Sequence, residues 1–310
     1  MRQKMRQNMC KHNNKHTTVA AALAALLLGL SGTPVYAGAH EGTAGTLSKE
    51  DRAMLSMFME DFVAEMDAKY FGRVEQMNGG IEFEDRFIEG KYGDYKLRVA
   101  RGEVMEKAGR MNSIGKINTR GEGVLTWGKF YSLDMHPKTP LVGMLHATIV
   151  LQMFEDGSVA TGGWLGVMPG TKVEEDLALL KKLTDDYFAK RDKDPVLYRQ
   201  LICKGTHDTI AEFRRKPACS GVSFYGPPVY RGDPEASIKF IAGLFDDFVG
   251  AYMDITDKRS TEAFTEADIE AQDIMRRNWL IDQLFSDPYA SQIVPFEVWS
   301  FANVPPVIKF

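Results

Sequence analysis

The chain has 310 residues, of which 44% are hydrophobic, 26% charged and 11% aromatic. This composition is typical of a globular protein and excludes disordered and fibrous chains. The 38 basic and 42 acidic side chains give a formal net charge of −4, so the overall charge gives no indication of nucleic-acid binding.

The N-terminus has the three parts of a secretory signal peptide. Residues 1–37 hold five basic residues and no acidic one, then an apolar run at 19–30, then the small-residue pattern ending at Ala37. The apolar run has about a dozen residues, which is short for a membrane span. We therefore predict cleavage near Ala37 and export to the periplasm, with an uncleaved anchor as the alternative and no membrane span in the mature chain.

The rest of the chain is predicted to be a flexible leader (38–46) and a single α+β domain (47–310). Apolar side chains recur at helical spacing over 49–69, 173–188, 233–252 and 265–277, which predicts four helices. β-branched and aromatic runs between glycines predict strands over 82–88, 97–106, 123–135, 144–154, 159–167, 220–225, 279–285 and 294–301. Short turns between successive strands predict an antiparallel sheet.

The strand at 144–154 has two different faces. Leu145, Ala147, Ile149, Leu151 and Met153 alternate along it and form a wholly apolar face. The opposite face carries His146, Thr148, Val150 and Gln152. This face either lines a cleft for a polar ligand or is a half-solvated face with an incidental histidine.

Metal, nucleotide and acyl-enzyme chemistry are not indicated. The sequence has no HExxH pair, no GxSxG elbow and no glycine-rich phosphate loop. Cys203 and His207 are four residues apart, which is a weak zinc signal. No metal site is predicted. Cys203 and Cys219 form a disulfide in an oxidising compartment or stay as two thiols.

Several segments in order resemble oxygen-dependent coproporphyrinogen III oxidase. They are GEVMEKAG at 102–109 with Asn112 and Ser113, SLDMHPKTP at 132–140 with His146, TGGWLGVMP at 161–169, the arginine-rich 276–287, and 299–306. Each is weak alone, but together they keep the family's order over most of the predicted mature chain.

The resemblance implies a central antiparallel sheet flanked by helices on both faces, a homodimer and a deep tetrapyrrole cleft. It implies no metal and no organic cofactor, with molecular oxygen as the oxidant. His146 is then the candidate catalytic residue. The candidate substrate-binding residues are Ser132, His136, Thr148 and Arg276, with Arg276 facing a propionate and Lys138 and Arg98 as weaker candidates.

The chain departs from the family at key positions. Val150 replaces an arginine, Thr148 an asparagine and Gly166 an aspartate. Gly226-Pro227-Pro228 stands where the family has paired aspartates, and Arg277 and Asn278 replace its glycine and second arginine. A carboxylate can accept pyrrole N–H groups and arginine can hold propionates, so these losses weaken the family chemistry. Asp134 and Asp282 are possible substitutes for the missing carboxylate.

Three functions follow from this sequence. The first is an oxidase that removes porphyrinogen propionates oxidatively. The second is a catalytically degenerate periplasmic protein that binds haem or a porphyrin, with His146 as a candidate iron ligand. The third is a structural or partner-binding protein with a relict cleft.

Overall fold

The structure is a computed structural model that describes residues 44–119, 123–203, 214, 216–285 and 293–310. The predicted signal peptide and His207 lie outside these residues. In the described part of the chain, no helix is long and apolar enough to cross a membrane.

The described residues form an α+β fold with an antiparallel sheet of eight strands and six helices, which confirms the predicted α+β class and the antiparallel sheet. The sheet order is β1-β7-β6-β5-β4-β3-β2, and β8 pairs with β7. In chain order the elements are β1 (Gly45–Thr46), α1 (Lys49–Asn78), β2 (Phe83–Glu89), β3 (Gly93–Ala100), β4 (Met105–Gly115), β5 (Leu125–Pro137), β6 (Met144–Phe154), β7 (Ser158–Met168), α2 (Glu174–Ala189), α3 (Val196–Cys203), β8 (Val222–Ser223), α4 (Pro234–Arg259), α5 (Glu266–Phe285) and α6 (Phe296–Ala302).

Helices pack on both faces of this sheet. On one face, which we call the core face, α1 and α4 pack against the sheet, and Leu145, Ala147 and Ile149 of β6 are fully buried there. On the other face, which we call the site face, α5 and α6 pack against β3 and β4 through Trp279 and Trp299. The alternation of apolar and polar residues over 144–154 therefore predicts correctly which side of β6 is buried.

Local sequence signals explain where α1 begins and ends and where α4 begins. Ser48 caps α1 because its side chain accepts from the Asp51 backbone N–H at 3.1 Å. The helix runs beyond the predicted end at residue 69 and stops at Gly79, whose φ of 71° is the left-handed conformation that glycine adopts freely. Asp233 caps α4 in the same way as Ser48, with proline in the first turn.

Two of the strand predictions are wrong, because residues 279–285 continue α5 and residues 296–301 belong to α6. A short apolar run has no period of its own that separates a strand from a buried helix. The distinguishing signal in α5 is the spacing of its buried side chains, which recur three or four residues apart at Gln272, Met275, Arg276, Trp279 and Asp282.

Two other predicted strands have different bounds. The strand predicted at 97–106 is two strands, because β3 ends at Ala100 and β4 begins at Met105. Between them the chain bends around the Asn78 side chain, whose Oδ1 accepts from the backbone N–H groups of Val104 and Met105 at 2.9 Å each. The strand predicted at 220–225 is only the two residues of β8, and the sequence analysis did not predict α3.

Candidate functional site

The register of three neighbouring strands assembles the candidate site. In the β5–β6 pair, Ser132 lies opposite Thr148 and Asp134 opposite His146. In the β6–β7 pair, His146 lies opposite Gly166. Directly opposed residues in an antiparallel pair point to the same face, so Ser132, Thr148 and His146 share the site face. His136 lies two residues beyond Asp134 on β5 and therefore points to this face as well. Four of the five predicted site residues thus lie on one face of the sheet.

A carboxylate–imidazole pair lies at the centre of this face. The Nδ1 atom of His146 is 2.8 Å from Oδ1 of Asp134. Asp134 is fully buried, whereas 27% of the His146 side chain is exposed. The hydrogen bond places the proton of the neutral imidazole on Nδ1, which leaves Nε2 as the atom available to a ligand or a proton.

The second oxygen of Asp134 is bound from the C-terminal end of the chain. Oδ2 accepts a short hydrogen bond from Nδ2 of Asn303, which follows α6 and is itself buried. The same Nδ2 lies 3.4 Å from Ser132 Oγ. The sequence analysis did not identify Asn303, because no local motif marks a residue that follows a short helix.

His136 lies beneath the same C-terminal segment and is buried. Its Nε2 donates to the Asn303 carbonyl oxygen at 2.9 Å. Burial, with the nearby cations of Lys107 and Arg276, holds the pKa of His136 well below its usual range. The imidazole is therefore neutral, and this hydrogen bond fixes its orientation.

Arg276 reaches the edge of the site from α5 and is already paired. Its Nη2 contacts Glu106 Oε2 at 2.6 Å and the Pro137 carbonyl oxygen at 3.2 Å. A propionate would have to compete with Glu106 for this guanidinium. The two weaker candidates for binding a propionate also form ion pairs with carboxylates, Lys138 with Glu103 and Arg98 with Asp85.

Thr148 and Gly166 lie next to an aromatic wall. Thr148 Oγ1 is 3.0 Å from the Tyr225 hydroxyl, and Tyr225 packs with Trp164, Ile202 and Val150. A β-carbon built at Gly166 would lie 2.7 Å from both Ile202 Cδ1 and Trp164 Nε1. The space beside Gly166, where the sequence resemblance expects an aspartate, is therefore filled by neighbours, and Asp134 brings a carboxylate to His146 from the strand on the opposite side.

Lys107 is a buried cation that the sequence analysis did not single out, although it lies in the quoted segment 102–109. Its side chain is 1% exposed, and Nζ donates to the Val304 carbonyl oxygen at 2.5 Å. Burial lowers the pKa of this amine to about 7. Lys107 lies opposite His136 in the register of β4 and β5, so it adds positive charge next to the site.

An open depression lies further along the site face. It has a volume of about 520 Å³ that includes open solvent, and His146 does not line it, whereas Val150 and Gln152 of the same strand do. Other lining residues are Tyr95, Ser113, Phe130 and Ile293.

Cys203 and Cys219 form a disulfide with Cα atoms 5.0 Å apart, which decides between the two alternatives left open by the sequence. The bond ties the end of α3, next to Ile202, to the chain that leads into β8. Within the described ranges, no three His, Cys, Asp or Glu side chains converge as a metal site.

No protein-family model matches this chain.

Proposed function

We propose that the chain is an exported, coproporphyrinogen oxidase-like protein, which carries out oxygen-dependent oxidative decarboxylation of porphyrinogen propionates at the site face as a homodimer. The observation that supports this proposal is the Asp134–His146 pair. It supplies a positioned proton acceptor and a buried carboxylate on the face where the sequence resemblance expects the substrate. Asp134 then takes the role of the carboxylate that Gly166 lacks.

The reaction requires a proton acceptor and an oxidant. Each propionate side chain, CH₂–CH₂–COO⁻, becomes a vinyl group and CO₂ by loss of two electrons and one proton. Molecular oxygen accepts the two electrons together with two protons, one released by the substrate and one from solvent, and leaves as hydrogen peroxide. Nε2 of His146 accepts the substrate proton, and the Asp134 carboxylate stabilises the resulting imidazolium.

A second function is favoured by a specific feature of His146. Among the described residues none hydrogen-bonds its Nε2, while Nδ1 is held by a carboxylate. Histidine that binds a metal donates its other N–H to a carboxylate or carbonyl in this way. The same residues therefore fit a haem-binding protein in which Nε2 of His146 would bind the iron and Asp134 would orient the imidazole ring.

Product mass after aerobic incubation of the purified mature protein with coproporphyrinogen III tests the oxidase. We expect loss of one or two carboxyl groups as CO₂, absent with boiled protein. His146→Ala should lower the rate by about 100-fold or more, since a positioned proton carrier contributes at least this much. Asp134→Asn should also lower it.

The matched control is Gln152→Ala, on the same strand and face as His146 but six residues further along. This variant should keep most of the activity. An unchanged substrate mass with the wild-type protein refutes the oxidase. A Soret shift on adding haem that is lost in His146→Ala then supports the haem-binding function.

A further inference from the structure

The segment that follows α6 is bound to the buried polar groups of the site face. The Asn303 carbonyl oxygen accepts from His136 Nε2 at 2.9 Å, and the Val304 carbonyl oxygen accepts from Lys107 Nζ at 2.5 Å. The Asn303 side chain adds a third contact, to Asp134. Two consecutive residues thus contact both β4 and β5.

The Asp134 carboxylate is held at both of its oxygens. Oδ1 faces Nδ1 of His146, and Oδ2 faces Nδ2 of Asn303. The carboxylate is fully buried, so water does not replace a missing donor without rearrangement. Lys107 is a buried cation that interacts coulombically with Asp134, but its ammonium donates to the Val304 carbonyl oxygen. The orientation of the carboxylate plane therefore depends on the Asn303 amide.

We propose that Asn303 is a positioning residue for the Asp134–His146 pair. By fixing Oδ2 of Asp134, its amide aims Oδ1 at His146 and keeps the proton of the neutral imidazole on Nδ1. The C-terminal segment is then a part of the site, although Asn303 does not face the ligand. The proposal deepens the proposed function and rests on it for its use, but its test needs no tetrapyrrole.

The experiment is ¹⁵N NMR of the mature protein labelled at histidine, recorded at mildly alkaline pH. The nitrogen shifts report which ring nitrogen carries the proton. In the wild type we expect the Nδ1–H tautomer of His146 to dominate. In Asn303→Ala the ratio of the two tautomers should move by about tenfold toward Nε2–H, because a hydrogen bond to a charged group is worth about one such factor or more.

Two further variants separate positioning from packing. Asn303→Gln retains an amide donor and should restore part of the wild-type ratio. Val304→Ala removes apolar contacts from the same segment but keeps the carbonyl that Lys107 contacts, so it should leave the His146 tautomer unchanged. The His136 signals report in every variant whether the segment is still in place.

A wild-type tautomer ratio in folded Asn303→Ala overturns the proposal. If Asn303→Ala does not fold, Asn303→Leu, which keeps the side-chain volume without a donor, is measured in its place with the same criterion. A tautomer shift in a protein that neither binds nor converts a tetrapyrrole supports the role of Asn303 and refutes the proposed function, so the two failures are distinguishable.

Discussion

Replacing Lys107 by methionine should stabilise the fold in mild acid and lose this advantage as the pH rises. The ammonium of Lys107 is buried and donates to the Val304 carbonyl oxygen, and the coulombic attraction of Asp134 offsets its burial only in part. Burial lowers its pKa from 10.5 to about 7. Methionine has a similar length and carries no charge.

The direction and size of this pH dependence follow from the pKa of Lys107 in the unfolded chain, 10.5, and in the folded chain, about 7. Below pH 7 both the folded and the unfolded chain hold the proton, so the full cost of burying the charge is present. Between pH 7 and 10.5 the unfolded chain holds a proton that the folded chain has lost, so wild-type stability rises with pH. Between pH 6 and 9 this gain amounts to roughly 3 kcal/mol.

Urea unfolding of the wild type and Lys107→Met at pH 6, 7, 8 and 9 measures this difference, because all other titrating groups are shared. The matched control is Lys129→Met. Lys129 is equally buried, but its ammonium contacts both carboxylate oxygens of Glu60 at 2.6 and 2.8 Å. Removing it breaks a pair, so we expect destabilisation at pH 6. Parallel plots of unfolding free energy against pH for wild type and Lys107→Met would show that burial does not lower the Lys107 pKa.

Three further predictions concern stability. In the wild type the melting temperature should fall below pH 6.5, because the unfolded chain binds a proton at His136 that the buried imidazole of the folded chain does not bind. His136→Gln should make this fall smaller, and an equal fall in both proteins contradicts the prediction. Gly166→Asp should cost about 1–3 kcal/mol by overpacking, and adding Ile202→Ala should recover part of it in a double-mutant cycle; simple additivity would show that the two positions do not compete for space. Replacing Cys203 and Cys219 together by alanine should lower the free energy of unfolding by about 3 kcal/mol, given their separation of 16 residues, whereas an unchanged value would show that the disulfide does not constrain the unfolded chain.

The sequence predicts the sheet and the face of β6 that carries the site, because strand alternation is local. Leu145 and Ala147 are fully buried on one side, and His146 is half-buried on the other. The prediction of a strand at 279–285 is wrong because the apolar residues of this short run continue the periodic pattern of the preceding helix. Their burial continues the stripe of Met275, and this is visible only over a longer window.

The polar contacts of the site were harder to predict, because they join residues far apart in the chain. Asp134 was a possible carboxylate substitute, but only the β5–β6 register places it beside His146. Asn303 meets Asp134 across 169 residues. Arg276 was expected to be available for a propionate, and the structure shows it paired with Glu106, a partner 170 residues away.

We propose that the site face binds a tetrapyrrole at His146. Equilibrium titration of wild type and His146→Ala with haem and with coproporphyrin III, followed at the Soret band, tests it most directly. We predict saturable wild-type binding at micromolar concentration and at least tenfold weaker binding of haem by His146→Ala, with Gln152→Ala unchanged. Failure of the wild type to bind either compound, or equal affinities of wild type and His146→Ala for both, would refute tetrapyrrole binding at His146.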